Sequence, residues 1–423
     1  MSNTTLTPSI ITKEALVILK NSLVMAKNVT REYDSRFAVS GAKIGATANL
    51  RKPPRYLGRE GEALQVEGAN ESFVPLTINR LSGVDITFST TDLTLNVNDF
   101  REQFLRPAMV SLANKVDSGL TDLYKDINRF VNAGASASSY GTSGYLNDGT
   151  HNTIAAVQSQ ILTAGAILSE NGAPLDRRAI VLDPMSQVSV LTPMTALFNP
   201  ASKVGGLFES GVMGNGVLGF DFAMDQNIKS FTPLAAGTWT ALAAVPVSGD
   251  ATLTTTATGT SNLPKGTVFS IAGVYAINPQ SRLSTGRLMQ FVVTSDTTLA
   301  ATSGNVIPFY PPYIPTNATG TTAQNATCTG IPTSTAVITM YTGAVGASGQ
   351  SQNLAFQKGA FALATVDQEL PGGVHFAARE NYEGFSIRIV RQYDINSNQI
   401  PCRIECLWGC KTIYPELAVR LGG

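Results

Sequence analysis

The chain has 423 residues, enough for two or three domains and a real hydrophobic core. Hydrophobic residues make up 43% and charged residues only 14%, well below the usual quarter, so much of the surface reads either as covered by other subunits or as a Thr- and Ser-coated β-domain. Thirty basic residues balance thirty acidic ones, which leaves no basic excess for tight wrapping of nucleic acid. The start, MSNTTLTPSIITKEALVILK, lacks a basic region ahead of its apolar residues and does not read as a signal peptide. No apolar run approaches the roughly 18 residues that cross a bilayer.

Residues 1–34 read as a weakly amphipathic arm. Ile11, Leu16, Leu19, Leu23 and Met25 suit a helix from about Lys13 to Lys27 that needs a partner surface to be ordered. Residues 35–95 read as extended, with alternation at Ala46–Arg51 and at Val84–Phe88. Between these strands runs RKPPRYLGREGEALQVEGANESF, which carries Arg51, Lys52, Arg55, Arg59, Glu60, Glu62, Glu67 and Glu71 among prolines and glycines. Such a segment between strands is a long hairpin or loop. Its basic and acidic halves are candidates for pairing with neighbouring subunits; a disordered surface loop is the plainer alternative.

From about Asn96 to Val131 the apolar residues Leu105, Met109, Leu112, Val116, Leu120, Leu123, Ile127 and Phe130 recur at steps of three or four. That period predicts an amphipathic helix of about 35 residues, roughly 50 Å long at about 1.5 Å per residue. Pro107 predicts a bend or a late start. It reads either as a core helix of a large enzyme or as the spine of a shell subunit. After a Gly/Ala/Ser-rich link at 133–147, a second helix is expected at Asn152–Ser169 and a short buried strand at 177–182. A third helix is expected to open at Asp183-Pro184, with Asp as cap and Pro in the first turn. A strand is expected near Val217–Phe222, which completes an α/β pattern.

Between about Phe231 and Gly349 charge almost vanishes and Thr, Ser, Gly and Ala dominate. Short strands are expected there, including Met289–Val293 and Ala336–Met340, with turns at Gly259, Pro264-Lys265-Gly266 and Gly273. That is an all-β region set into the α/β pattern, expected to fold by itself. Residues 384–391 and 401–410, joined by the turn-rich stretch 394–399, predict a long hairpin.

The cysteines are Cys328, Cys402, Cys406 and Cys410. Positions 402, 404, 406, 408 and 410 share one face of a strand, which reads as buried thiols and no metal site, with Arg403 and Glu405 facing away. The chain has two histidines, His151 and His375, and neither stands in a catalytic setting. Gly214–Gly219 matches GxGxxG but precedes a strand, not a helix, and so lacks phosphate-cradling geometry. Asp117-Ser118-Gly119 resembles an aspartic-protease triplet but falls inside the long helix. Its glycine weakens that helix slightly. No catalytic cluster is visible, and no cofactor is expected.

Several stretches carry a family resemblance: NYEGFSIRIVRQYDINSNQIPCRIECLWGCKTIYPELAVRL (381–421), NSLVMAKNVTREYD (21–34), GATANLRKPPRY (45–56), VLDPMSQ (181–187) and PKGTVFSIAGVYAINPQSR (264–282). Their order over nearly the whole length resembles the major capsid proteins of tailed bacteriophages, in the podovirus coat-protein subgroup with an inserted β-domain. The resemblance implies an α+β, Hong Kong phage-type capsid fold. Its parts would be an N-terminal arm (1–34), an extended E-loop with flanking strands (35–95), the spine helix of a peripheral P-domain (96–134) and an axial A-domain (135–230). An inserted Greek-key β-barrel (231–350) and a return through the A- and P-domains with a C-terminal hairpin (351–423) would follow. It further implies hexamers and pentamers in an icosahedral procapsid, assembled in the host cytoplasm with a scaffolding protein and a portal protein. The shell would mature around double-stranded DNA that it does not read by sequence, with no membrane involved. A phage tail or decoration protein is the alternative, though it would not need the spine helix.

Overall fold

The computed structural model describes residues 8–31, 47–56, 58, 61–62, 64, 66, 68, 71–89, 105–132, 154–194, 216–234, 241–257, 261–317, 324–342, 349–382, 385–396 and 399–422. The chain is mixed α+β. It gathers into two compact units, one of Met1–Leu50, Phe73–Thr121 and Phe361–Ile413, the other of Arg51–Ser72, Asp122–Ala360 and Tyr414–Gly423.

The first unit is built on the strand Gln399–Thr412. Arg80–Ser89 pairs with it over ten residues, from Gln399 opposite Ser89 to Trp408 opposite Arg80. Phe385–Arg391 and Phe361–Val366 also pair with it, so the expected C-terminal hairpin is present. The even positions Cys402, Ile404, Cys406 and Trp408 are buried, as the period of two requires. Arg403 faces solvent and its Nε donates to Asp85 Oδ1 at 2.9 Å. Leu407 and Gly409 are buried as well, and Glu405 also departs from that alternation. It is buried because Arg388, directly opposite on the neighbouring strand, donates to its carboxylate.

Helix α1 (Pro8–Ser22) packs on helix α2 (Arg106–Thr121) and on the strand Phe376–Tyr382. Ala15, Leu16 and Leu19 of α1 are buried, as are Met109, Leu112, Ala113, Val116 and Leu120 of α2. The N-terminal segment thus finds its partner surface within its own chain. Pro107 is the second residue of α2, where its missing N–H costs nothing. The long-helix expectation needs correction at its far end. Regular α-helix stops at Thr121, Asp122–Asp126 is a 3-10 turn, and Phe130–Asn132 is a strand. Leu123, Ile127 and Phe130 keep the helical spacing, but Phe130 and Val131 pair in parallel with Arg420 and Leu421, and pairing overrides the helix. The expected start at 96–104 lies outside the described residues.

The second unit holds a five-stranded sheet in the order Phe130–Asn132, Ala418–Gly422, Asn353–Gln357, Arg178–Leu182, Asp221–Met224. Helix α3 (Ile154–Glu170) packs Ile161, Ala164 and Leu168 into a core with Ile180, Phe220, Phe222 and Val419. Asp183 caps helix α4 (Pro184–Met194) as expected, its Oδ2 accepting from Met185 N at 3.1 Å. Val217–Phe220 is a tight turn, not the start of a strand, with Leu218 and Gly219 both at positive φ. Residues 214–215 of the GxGxxG stretch are not described; residues 221–224 after it form a strand, as expected.

The same unit contains the charge-poor region. Six of its strands run in the order Cys328–Thr329, Val268–Ile277, Ser284–Val293, Ser303–Tyr313, Asp250–Thr256, Ala241–Leu242, and Ile338–Met340 also pairs with Val268–Ile277. Phe269, Phe291 and Phe309 meet at its centre, with ring centroids 5.2–6.0 Å apart. A turn at Lys265-Gly266 is present. Gly273 is not a turn. It is a bulge within Val268–Ile277, at φ +84°, where the register to the neighbouring strand shifts between Ser270 and Tyr275. Ser230–Phe231 pairs with Gln350–Ser351, joining the two ends of the region.

Candidate assembly site

The charged loop leaves from the strand Thr47–Lys52 and returns through Ser72–Thr77, and these two strands pair. The segment is therefore a hairpin with a long excursion, as its Gly/Pro punctuation suggests. Of its eight candidate charges, Arg59, Glu60 and Glu67 lie outside the described residues. Arg51 and Glu71 face each other across the neck at 3.9 Å and are both largely exposed, so screening leaves the pair little strength. Glu62 is exposed.

Lys52 and Arg55 turn inward, onto the turn that precedes the last strand. Arg55 Nη2 donates to Glu416 Oε1 at 2.9 Å. Lys52 Nζ stands 4.8 Å from the centre of the Tyr414 ring. Burial pulls the Lys52 ammonium below its ordinary value, and Arg55 adds to that, while Glu416 opposes it. Tyr310 sits in the field of Glu416 and Arg55, and its burial pushes the phenol well up. Farther along the loop, Gln324 Nε2 donates to Gly68 O at 3.2 Å. The apolar side chains Tyr56, Leu64, Val66 and Phe73 are left exposed.

A polar seam joins the charge-poor strands to the five-stranded sheet. Gln290 is its hub. Its Oε1 accepts from Phe130 N at 2.9 Å, and its Nε2 donates to Phe130 O at 2.9 Å and to Tyr341 Oη at 2.8 Å. Asn128 Nδ2 donates to Gln290 O at 2.8 Å. Buried Arg420 donates to Gly266 O at 2.9 Å. Lys265 pairs with Asp126 and Arg287 with Glu170. Arg129, buried nearby, is pulled down to about 10 by that burial, with Glu170 opposing.

Sequence reading missed three of these roles. Glu416 gave no signal, because its partner lies 361 positions away. Gln290 is one amide on a strand. Asp117 was noted only for its triplet, yet it is buried, and its two oxygens accept from Val24 N at 2.8 Å and Ala26 N at 2.9 Å. His375 is exposed, and His151 lies outside the described residues. No helix among the described residues is long and apolar enough to cross a membrane.

The sequence model of the P22 coat protein (gene protein 5) matches residues 1–423, the entire sequence. The chain belongs to the P22 coat protein family. It is a structural subunit of a bacteriophage capsid, not an enzyme. No curated protein matches it. Among solved structures it is similar to a chain from Mycobacterium phage Che8, at 13% identity and a TM-score of 0.45 over 94% of this chain and 90% of that one. It is also similar to the capsid structure of cyanophage P-SCSP1u, at 11% and 0.46 over 95% and 88%. The capsid of Ralstonia phage GP4 gives 9% and 0.45 over 93% and 86%.

Proposed function

We propose that this coat protein assembles as hexamers and pentamers into an icosahedral procapsid of the Hong Kong phage type. In this reading α2 and the terminal hairpin are the P-domain, and the five-stranded sheet with α3 and α4 is the A-domain. The charged hairpin is the E-loop, and 231–350 is an inserted Greek-key barrel. The family match carries the reading. The barrel assignment is supported by the bond from Leu242 N to Ala336 O, which brings the first strand of the region against the segment leading into the last. Pairing of Ser230–Phe231 with Gln350–Ser351 supports a single entry and exit for the insertion. The low charge of the chain suits broad subunit contacts, and its neutral balance suits a wall that does not grip the DNA it encloses. A scaffolding protein and a portal are the expected assembly partners, in the host cytoplasm.

The test is electron microscopy of the protein expressed with and without a scaffolding partner. Closed shells or aberrant shell-like particles are expected. Small dispersed particles under both conditions would refute the assembly reading and favour a tail or decoration role.

A further inference from the structure

We propose that Arg55 and Lys52 act within their own subunit, tethering the charged loop to the Tyr414–Glu416 turn and so fixing the direction in which the loop leaves. The proposal rests on the reading of this loop as an assembly element, and it assigns these two charges to the subunit's own turn, not to a neighbour's.

Both halves of the contact are stiff. On the loop side the sequence is Lys52-Pro53-Pro54-Arg55. Two consecutive prolines fix φ near about −65° and hold the flanking cations at a set separation. On the receiving side Tyr414 caps the 3-10 turn Pro415–Leu417, which leads into the strand Ala418–Gly422. Pro415 is buried, and Leu417 N donates to Tyr414 O. Asn171 Nδ2 donates to Glu416 O at 2.9 Å, and Tyr414 N donates to Ala360 O at 3.1 Å. The turn is therefore held from two sides before the loop reaches it. Lys52 then meets the Tyr414 ring and Arg55 the Glu416 carboxylate. Two spaced cations on a rigid dipeptide, meeting an aromatic face and a carboxylate two residues apart, define an orientation that one ion pair alone would not.

The Arg55 and Glu416 side chains are 39% and 26% exposed. A pair this wet adds little to folding stability. Its loss should register in where the loop points, and so in shell yield, far more than in melting.

The test is a charge swap read in cis and in trans. Arg55→Glu and Glu416→Arg, each alone, should lower the yield of closed shells at least tenfold, as measured by sedimentation and electron microscopy, while the subunit melts within a few degrees of wild type. Arg55→Gln, which removes the charge without reversing it, should show a smaller loss in the same direction. The double variant Arg55→Glu/Glu416→Arg should recover shells. Co-expression of the two single variants should not, because each subunit still carries a mismatched pair of its own. Recovery on mixing would mean that the charges meet between subunits and would overturn the proposal, leaving the loop as an assembly element. Failure of the double variant to recover would overturn the pairing. Wild-type assembly by both single variants would overturn the proposal together with the loop reading.

Discussion

Gly119 on α2 lies so close to Trp408 on the strand Gln399–Thr412 that a β-carbon there would overlap both the Trp408 ring and the Arg80 guanidinium. The three groups form one stack. Arg80 stands 5.1 Å from the ring centre, and the ring N–H donates to Ser82 Oγ at 3.0 Å. A glycine inside a helix ordinarily costs about 1 kcal/mol relative to alanine. Here packing outweighs propensity. Gly119→Ala should lower subunit stability by about 1–3 kcal/mol, the usual cost of overpacking. Urea denaturation checks this, and a gain in stability would refute it.

Asp117, two residues earlier, holds the segment that follows α1. Its carboxylate accepts the N–H groups of Val24 and Ala26 at the start of the Met25–Lys27 3-10 turn. Ala26 is fully buried, so no water replaces a lost acceptor. Asp117→Ala should cost about 1–3 kcal/mol, the penalty for orphaning buried donors. Asp117→Asn, which keeps one acceptor oxygen, should cost less. Amide hydrogen exchange should speed up at Val24 and Ala26 before it does within α1. Unchanged protection at both amides would count against this role.

The C-terminal hairpin was legible because residues 401–406 alternate apolar with polar or proline, and two extended runs flank a turn-rich stretch. The end of α2 was not. Leu123, Ile127 and Phe130 sit at helical spacing, but Phe130 is claimed by a strand almost 300 positions later, and periodicity carries no information about pairing. Gly273 looked like punctuation and is a bulge, a distinction set by the register of the neighbouring strand. The charged loop was legible as a loop. The destinations of Lys52 and Arg55 were not, since they depend on where the fold brings Tyr414 and Glu416.

Gln290 substitutes for a missing strand. Phe130–Asn132 pairs only with Ala418–Gly422 among the described strands, and on its other side Phe130 offers N–H and C=O to one side-chain amide. Gln290→Leu keeps the volume and loses both bonds to Phe130 and the one to Tyr341. It should destabilise the subunit by about 1–3 kcal/mol. Gln290→Glu keeps an acceptor for Phe130 N but has no N–H to offer Phe130 O or Tyr341, so it too should destabilise. Calorimetric melting of both variants checks this. A wild-type melting temperature in either would show that the amide is dispensable.

The buried thiols set an alkaline limit on stability. Burial pushes the Cys328 and Cys402 thiols up to about 11 and Cys406 up to about 12. Cys410 is only half-buried, with its sulfur 3.5 Å from Gly119 O. The thiolate is the nucleophile, so at pH 8 the native subunit should show Cys328, Cys402 and Cys406 protected from iodoacetamide and Cys410 the first to react. All four should react on unfolding. The pH dependence has a definite sign. An unfolded thiol ionises near about 8.5, whereas the buried ones stay protonated well above that. Their contribution is therefore complete below about pH 8.5 and is lost as the pH rises towards the folded values. Stability measured by denaturation should fall from about pH 9 upward, and Cys406→Ala should shallow that fall. An equally steep alkaline limb in the variant would show that other groups govern it.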